Sequence, residues 1–143
     1  MIVMDILDGG PRSNLYKSII DKAVEAALKS NHTQKHGAVI FKGKRIYSIG
    51  FNHPNRSVRS VNPIAQKWKT SVHAEIASIL NAKRNIANFD ILVVRLNNKN
   101  QLMMSRPCTN CLVYLDYCGI RNIYYSIDHY PYIVKFGEED YNV

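Results

Sequence analysis

The sequence predicts an α/β fold in which helices flank a mixed β-sheet. Stretches with helical spacing of apolar residues alternate with short apolar stretches of strand type, the pattern of an α/β layer fold. Two strand-like stretches joined by the tight turn Gly43-Lys44 predict an antiparallel hairpin near the N-terminus. The apolar, β-branched stretch over residues 89–96 predicts a strand that is buried inside the domain.

In the first half of the chain, residues 1–11 are interpreted as an extended leader with a Gly-Gly-Pro turn. Ser13 can cap a helix over residues 14–29. The hairpin strands are predicted over residues 37–42 and 45–51. Residues 52–70 show no period, and a connection of this length inside a compact domain is often functional.

In the second half, a helix is predicted over residues 72–84, a strand over 89–96, a helix over 108–118 and a strand over 121–126. His73 and Glu75 are expected in the first turn of the helix over residues 72–84. Gly119 is expected to end the next helix. The tail over residues 127–143 is compatible with either a short helix or a strand.

Length and composition place the chain among single-domain proteins with a proper core, since 143 residues are 46% hydrophobic. No apolar stretch is long enough to cross a membrane, and the N-terminus does not resemble a signal peptide. Three cysteines argue against a disulfide framework and predict a reducing, cytoplasmic location. The net charge of +8 predicts an anionic partner, although a solvated basic surface explains it equally well.

Two short motifs, His73-Ala74-Glu75 and Pro107-Cys108-Thr109-Asn110-Cys111, contain the residues with metal and proton chemistry. Zinc in a catalytic site takes three protein ligands and keeps its fourth position for water. It lowers the pKa of that water towards 7, and a neighbouring carboxylate can then move its protons. We interpret His73, Cys108 and Cys111 as zinc ligands and Glu75 as the proton shuttle.

Each motif alone has other uses, because Cys-x-x-Cys also occurs as a redox pair or as half of a structural zinc site. A four-cysteine site needs a second pair, and the chain has one further cysteine, Cys118, which is expected to be a buried thiol. The two motifs in this order, with Pro107 directly before Cys108, match the His-x-Glu…Pro-Cys-x-x-Cys signature of the zinc deaminases.

On these residues, the chain resembles the cytidine and deoxycytidylate deaminase superfamily, which includes tRNA adenosine deaminases and polynucleotide cytidine deaminases. The resemblance covers residues 37–126 and is carried by Gly37-Ala38-Val39-Ile40, Gly50-Phe51-Asn52, both zinc motifs and residues 119–125. It implies a three-layer α/β/α cytidine deaminase-like fold with a mixed five-stranded sheet, whose fifth strand comes from the tail after Ser126. It also implies a homo-oligomer.

The resemblance further implies hydrolytic deamination, in which zinc-bound hydroxide attacks C4 of cytosine while Glu75 moves protons to the ring and to the departing amine. In the family, the residue after the His and the backbone around the Pro-Cys motif bind the pyrimidine edge, which implicates Ala74, Ser105 and Arg106. The strand-end Asn52 would hydrogen-bond a sugar hydroxyl, with a turn residue as its structural alternative.

One zinc per chain is expected, because the loop over residues 52–70 has only His53 where many deoxycytidylate deaminases carry further Cys and His residues for a second, structural zinc. His32, His36, His53 and His129 are rival ligands for the catalytic zinc. Arg56 is the substrate-binding candidate from this loop, and Arg59, Lys67 and Lys69 are further basic residues that could hold a 5′-phosphate.

The substrate we favour is a free cytosine nucleotide, dCMP, converted to dUMP. The alternative is a polynucleotide deaminase acting on cytosine in single-stranded DNA or on adenosine in tRNA, with the basic face along the phosphate backbone. Met104-Ser105-Arg106 replaces the Ser-Trp-Ser segment that precedes Pro-Cys in the polynucleotide cytidine editors. A non-catalytic, zinc-stabilised nucleic-acid-binding module is a third interpretation, and Glu75 argues against it.

Overall fold

A computed structural model of the protein describes residues 15–54 and 71–137. The helices are α1 (Lys17–Leu28), α2 (Ala74–Ala82) and α3 (Thr109–Tyr117). The strands are β1 (Lys35–Lys42), β2 (Arg45–Phe51), β3 (His53–Pro54), β4 (Ser71–Val72), β5 (Asp90–Leu96), β6 (Leu102–Met103), β7 (Asn122–Ser126) and β8 (Ile133–Lys135). The predicted leader, the Ser13 cap and the basic residues Arg56, Arg59, Lys67 and Lys69 lie outside the described residues.

The main sheet is mixed, with the strand order β2-β1-β5-β7-β8 and with β6 paired to β5. Strand β1 is antiparallel to both β2 and β5, β5 is parallel to β7, and β8 is antiparallel to β7. The predicted hairpin and the predicted fifth strand from the tail are therefore confirmed. The predicted number of five strands is one too low, because the two-residue β6 also pairs with β5.

Helices cover both faces of the sheet, as the three-layer prediction requires. Alternate residues of β1 point to opposite faces. Val39 and Phe41 belong to a core cluster with residues of α1, such as Ile19. Ala38 and Ile40 belong to a second cluster with residues at the start of α2 and within α3. The face that carries Ala38 is thus the face on which both motif helices lie.

Each motif helix begins directly after a candidate ligand. His73 is the N-cap of α2 and Cys108 is the N-cap of α3, and both have extended backbone. Their carbonyl oxygens accept the first helical hydrogen bonds, from Ala77 N and Leu112 N at 2.9 Å. The prediction that His73 lies inside the first helical turn is wrong, because the preceding residue, Val72, is in β4. Glu75 is in the first turn of α2, as predicted.

Helix α2 lies directly on β2 at Gly50. A Cβ atom at this position would meet Ser78 N far closer than real Cβ atoms approach, and it would lie 2.8 Å from Ala74 O. The close approach of the two backbones therefore requires a residue without a side chain.

None of the described helices has both the length and the hydrophobicity that a membrane span needs.

Gly50→Ala is expected to lower the free energy of unfolding by about 1–3 kcal/mol, because the added methyl group overpacks the contact between β2 and α2. Denaturant unfolding measures the change. Gly43→Asn is the control, because Gly43 has a φ of 59°, which Asn tolerates, and a Cβ there meets nothing within 4 Å. Equal stability of the Gly50→Ala variant and the wild type would contradict the close packing.

Candidate metal centre and active site

The motif residues converge at the N-terminal ends of α2 and α3. Within the described ranges, one group of three His, Cys, Asp or Glu side chains could hold a metal ion: His73, Cys108 and Cys111, whose ligand atoms lie within 4.8 Å of one another. The Cys111 Sγ lies 3.3 Å from the His73 Nδ1. The structure thus brings together the three residues that were predicted as zinc ligands.

The helix spacing explains the position of the two thiols. Residues three apart on a helix lie on one face, so Cys111 lies one turn after Cys108 on the same side of α3. Cys108 is exposed and Cys111 is buried. The third cysteine, Cys118, is at the C-terminal end of α3 and does not belong to the cluster. The prediction that Cys118 is a buried thiol is wrong, because its side chain is only partly buried.

The Glu75 carboxyl is buried next to the cluster, with the residue 5% exposed. Burial raises the pKa of this carboxyl, while hydrogen bonds with its own backbone and with the Cys111 thiol oppose the rise. The contact with Cys111 places the Glu75 carboxyl beside the position where a shared metal ion would lie. A buried acid at this place is in the right surroundings for proton transfer near neutral pH.

The chemistry of the three donor side chains fits a cation between them. Burial and the nearby His32 lower the pKa of His73, which keeps the imidazole neutral. Burial, Glu75 and Cys108 raise the pKa of the Cys111 thiol. A divalent cation reverses that effect, because it deprotonates a coordinating thiol. One imidazole nitrogen and two sulfur atoms are a donor set that zinc binds readily in proteins.

The cluster opens onto a cavity of about 240 Å³. It is lined by residues of both motifs, by the two residues before Pro107, by Asn52 after β2, and by residues before and at the start of β1: His32, Gln34, His36, Asn52, His73, Ala74, Glu75, Ser105, Arg106 and Cys108. The predicted substrate-binding residues Asn52, Ala74, Ser105 and Arg106 all belong to this wall. Gln34 was missed, and His32 and His36 were considered only as rival ligands. The polar character of residues 30–36 is the signal in the sequence that could have indicated them.

Three of the four rival ligands lie outside the metal cluster. His32 and His36 line the cavity outside the cluster. Burial lowers the pKa of His36 to about 4, so its imidazole is neutral. The His129 Nδ1 lies 2.9 Å from the Asp128 Oδ1. The side chain of His53 lies outside the described part of the structure.

Asn52 joins the end of β2 to the segment between α1 and β1. Its Oδ1 accepts hydrogen bonds from the Ser30 Oγ at 2.5 Å and from the His36 backbone N–H at 3.0 Å. Its Nδ2 donates to the Gln34 carbonyl oxygen at 2.7 Å. Asn52 is buried, so these contacts hold the wall that carries His32, Gln34 and His36 against the hairpin.

Asn52→Ala is expected to lower the free energy of unfolding by about 1–3 kcal/mol, since it leaves the partner groups of Ser30, Gln34 and His36 without their hydrogen bonds. Ser30→Ala is the matched comparison. It removes one hydroxyl and is expected to cost about 0.5–1.5 kcal/mol. Urea unfolding of both variants measures which of them loses more free energy of unfolding. A smaller loss for Asn52→Ala than for Ser30→Ala would contradict the central position of Asn52.

Ser105 and Arg106 form the wall next to the cysteine motif in different ways. Ser105 is buried. Its Oγ donates a hydrogen bond to the Val93 carbonyl oxygen at 2.8 Å and accepts one from the Ser126 backbone N–H at 2.8 Å. Arg106 is exposed, and its guanidinium lies 5.0 Å from the centre of the Phe136 ring. Ser105 therefore fixes the loop on the sheet, and Arg106 places a positive charge at the cavity rim.

A buried carboxylate beside an imidazole and two thiols, at a cavity in an α/β domain, is typical of a hydrolytic zinc site. Residues 13–127 match the family described as the cytidine and deoxycytidylate deaminase zinc-binding region. The chain therefore belongs to the cytidine and deoxycytidylate deaminase family, and zinc is its cofactor.

Three known proteins illustrate the similarity. An uncharacterized deaminase in the luxG 3′ region of Aliivibrio fischeri is 32% identical over 106 residues, which are 72% of this chain and 65% of that protein. Cytidine deaminase from Burkholderia pseudomallei has a TM-score of 0.60 at 17% identity, over 88% of this chain and 94% of that one. The dCMP deaminase of cyanophage S-TIM5 has a TM-score of 0.51 at 17% identity, over 79% and 86%. The two solved structures show that the fold is shared.

Proposed function

We propose that the protein is a zinc-dependent hydrolytic deaminase of a cytosine nucleotide, which converts dCMP to dUMP and ammonia. The observation that carries the proposal is the convergence of His73, Cys108 and Cys111 with the buried Glu75 at one cavity. In this assignment, the imidazole and the two thiolates hold the metal. When bound, zinc supplies a water molecule that is activated for nucleophilic attack at neutral pH.

Glu75 moves the protons of the reaction. Its carboxylate takes a proton from the attacking water and delivers it to the ring nitrogen next to C4. It then assists the departure of the amine, so that a C–O bond forms at C4, the C–N bond breaks and ammonia leaves. The contact with Cys111 and the burial of Glu75 support this role, because a proton shuttle must lie within hydrogen-bond reach of the attacking water, next to the residues that would hold the metal.

The cavity wall supports an anionic nucleotide as the substrate. Glu75 is the one carboxylate among the described lining residues, and it lies beside the metal donors, whereas Arg106 brings a cation to the rim. A volume of about 240 Å³ is small next to drug-sized pockets of about 300–1,000 Å³, which suits one pyrimidine ring with its sugar near the mouth. Arg56 and Arg106 are the candidates for the 5′-phosphate.

Ala74 and Asn52 complete the proposed substrate contacts. Ala74 is fully buried at the start of α2 and lines the cavity beside Glu75, which supports the proposed contact of its backbone with the pyrimidine edge. The Asn52 Oδ1 already accepts two hydrogen bonds. A contact from Asn52 to the sugar would therefore use the second N–H of Nδ2.

Turnover of dCMP, CMP, cytidine and a cytosine-containing oligonucleotide by the zinc-loaded protein, measured side by side, tests the proposal. We expect dCMP to give the highest kcat/KM and cytidine, which lacks the phosphate, a lower one. Turnover of the oligonucleotide alone would overturn the free-nucleotide assignment and favour a polynucleotide deaminase. No turnover of any of the four by protein with one zinc per chain would overturn cytosine deamination itself.

A further inference from the structure

A compact group of cations surrounds two aromatic rings at the end of the β1–β2 hairpin. The rings of Tyr47 and Phe89 lie 4.5 Å apart between their centres. The Arg84 guanidinium lies 4.9 Å from the Tyr47 centre and 5.3 Å from the Phe89 centre. Arg45 lies 5.4 Å from Tyr47, and Lys42 lies 5.6 Å from Phe89. We call Lys42, Arg45 and Arg84, with these two rings, the hairpin cluster.

Among the residues that the structure describes, no acid pairs with the cations of the hairpin cluster. The nearest acid on the sheet, Asp90, pairs across the strands with Phe41 and is held by Arg121 at 3.1 Å. Lys44, at the tip of the same turn, lies 5.0 Å from the Tyr16 ring and adds a further positive charge. Positive charges without an ion-pair partner in the described ranges raise the local concentration of polyanions.

The hairpin cluster lies at the opposite end of the sheet from the metal centre. His36, near the start of β1, lines the cavity, and Lys42 ends the same strand. Because a strand rises about 3.3 Å per residue, the two residues lie about 20 Å apart along β1. Helix α2 runs the same way, with Glu75 in its first turn and Arg84 beyond its end. The hairpin cluster is therefore a separate surface from the catalytic cavity.

We propose that the hairpin cluster binds the phosphate backbone of single-stranded nucleic acid. The cations supply sequence-independent contacts to phosphates, and the ring faces hold the two guanidinium groups in place before binding. The turn between β1 and β2 is exposed over residues 42–45, so a flexible single strand can bend around it. A duplex is stiff over about 50 nm, so it would reach fewer of these charges at once. The proposal is independent of the substrate assigned to the cavity.

Fluorescence anisotropy with a labelled oligothymidine tests the proposal over a range of salt concentrations. The probe has about 20 nucleotides, because single-strand binders cover sites of about 4–16 nucleotides. Oligothymidine contains no cytosine, so binding is measured without turnover. The slope of log Kobs against log salt is expected to fall by about 1.4 in the variant Arg45→Gln/Arg84→Gln, since each lost single-strand contact contributes about 0.7. Its turnover of dCMP is expected to equal that of the wild type.

Two matched variants separate the hairpin cluster from overall charge and from misfolding. Lys29→Gln/Lys99→Gln removes the same number of charges from exposed positions elsewhere and is expected to keep the wild-type slope. Arg45→Lys/Arg84→Lys keeps the charges and is expected to retain most of the slope. Equal weakening in both Gln variants, no binding by the wild type at low salt, or tighter binding of a duplex of the same length would each overturn the proposal.

Discussion

Glu75→Gln is expected to lower kcat on the proposed cytosine substrate by about 10²- to 10⁴-fold, the usual contribution of a positioned acid–base group. Gln has nearly the same shape as Glu but cannot accept and release a proton at neutral pH. The buried site around α2 should therefore keep its packing, and the zinc content should stay at one per chain. Steady-state kinetics together with elemental analysis of the same sample measure both quantities.

The control for this experiment is Glu25→Gln, the same chemical change on α1, where the side chain is 56% exposed and pairs only with Lys22 among the described contacts. It should leave kcat unchanged. If Glu75→Gln kept wild-type turnover with full zinc, Glu75 would not be the proton shuttle. If the variant lost its zinc, the carboxylate would be holding the metal instead.

Cys111→Ser is expected to abolish turnover by removing the metal. The Cys111 Sγ is the buried sulfur of the cluster, and a serine hydroxyl is a poor zinc ligand at neutral pH. Replacement of residues that only orient a ligand typically costs about 10- to 100-fold in metal affinity, so loss of a direct ligand should cost more. Zinc content after dialysis, and the melting temperature with and without added zinc, measure the effect.

Cys118→Ser is the matched control, because it makes the same change at the other end of the same helix, outside the metal cluster. We expect this variant to keep one zinc per chain, its turnover and its response to added zinc. If both serine variants kept zinc equally well, Cys111 would not be a ligand. If both lost it, the effect would come from damage to α3 and not from coordination.

Much of the fold could be predicted because its signals are local. The β1–β2 hairpin follows from two apolar stretches and the turn at Gly43, and β5 from its continuous apolar residues. Strands β6 and β8 have two and three residues, which is too short for a periodic pattern. They form because backbone groups of β5 and β7 are available for pairing, β6 with the end of β5 and β8 with β7. The exact start of α2 was missed because strand pairing between Val72 and His53 holds the preceding residues extended.

The sequence signals that predict the candidate metal site are also local. Two motifs with fixed spacing identify the three metal donors and Glu75 in the sequence. The fold brings these motifs together because each lies at the start of a helix and the two helix starts are neighbours. The opposite wall of the cavity could not be predicted in the same way. His32, Gln34 and His36 reach the cavity because Asn52 bonds to the segment that carries them, which brings β1 and the end of β2 to the same place. Such long-range contacts have no spacing signature in the sequence.

The separation of the metal donors along the chain has a consequence for unfolding. His73 and Cys111 meet although 38 positions separate them, so a bound ion closes a large loop. Like a disulfide, such a cross-link restricts the denatured ensemble, and the chain-entropy relation gives about 3–5 kcal/mol for loops of this size, as long as the ion stays attached to the denatured chain. Chelation then gives the denatured chain back this conformational freedom. A bound ion would thus also cross-link two helices that are far apart in the sequence.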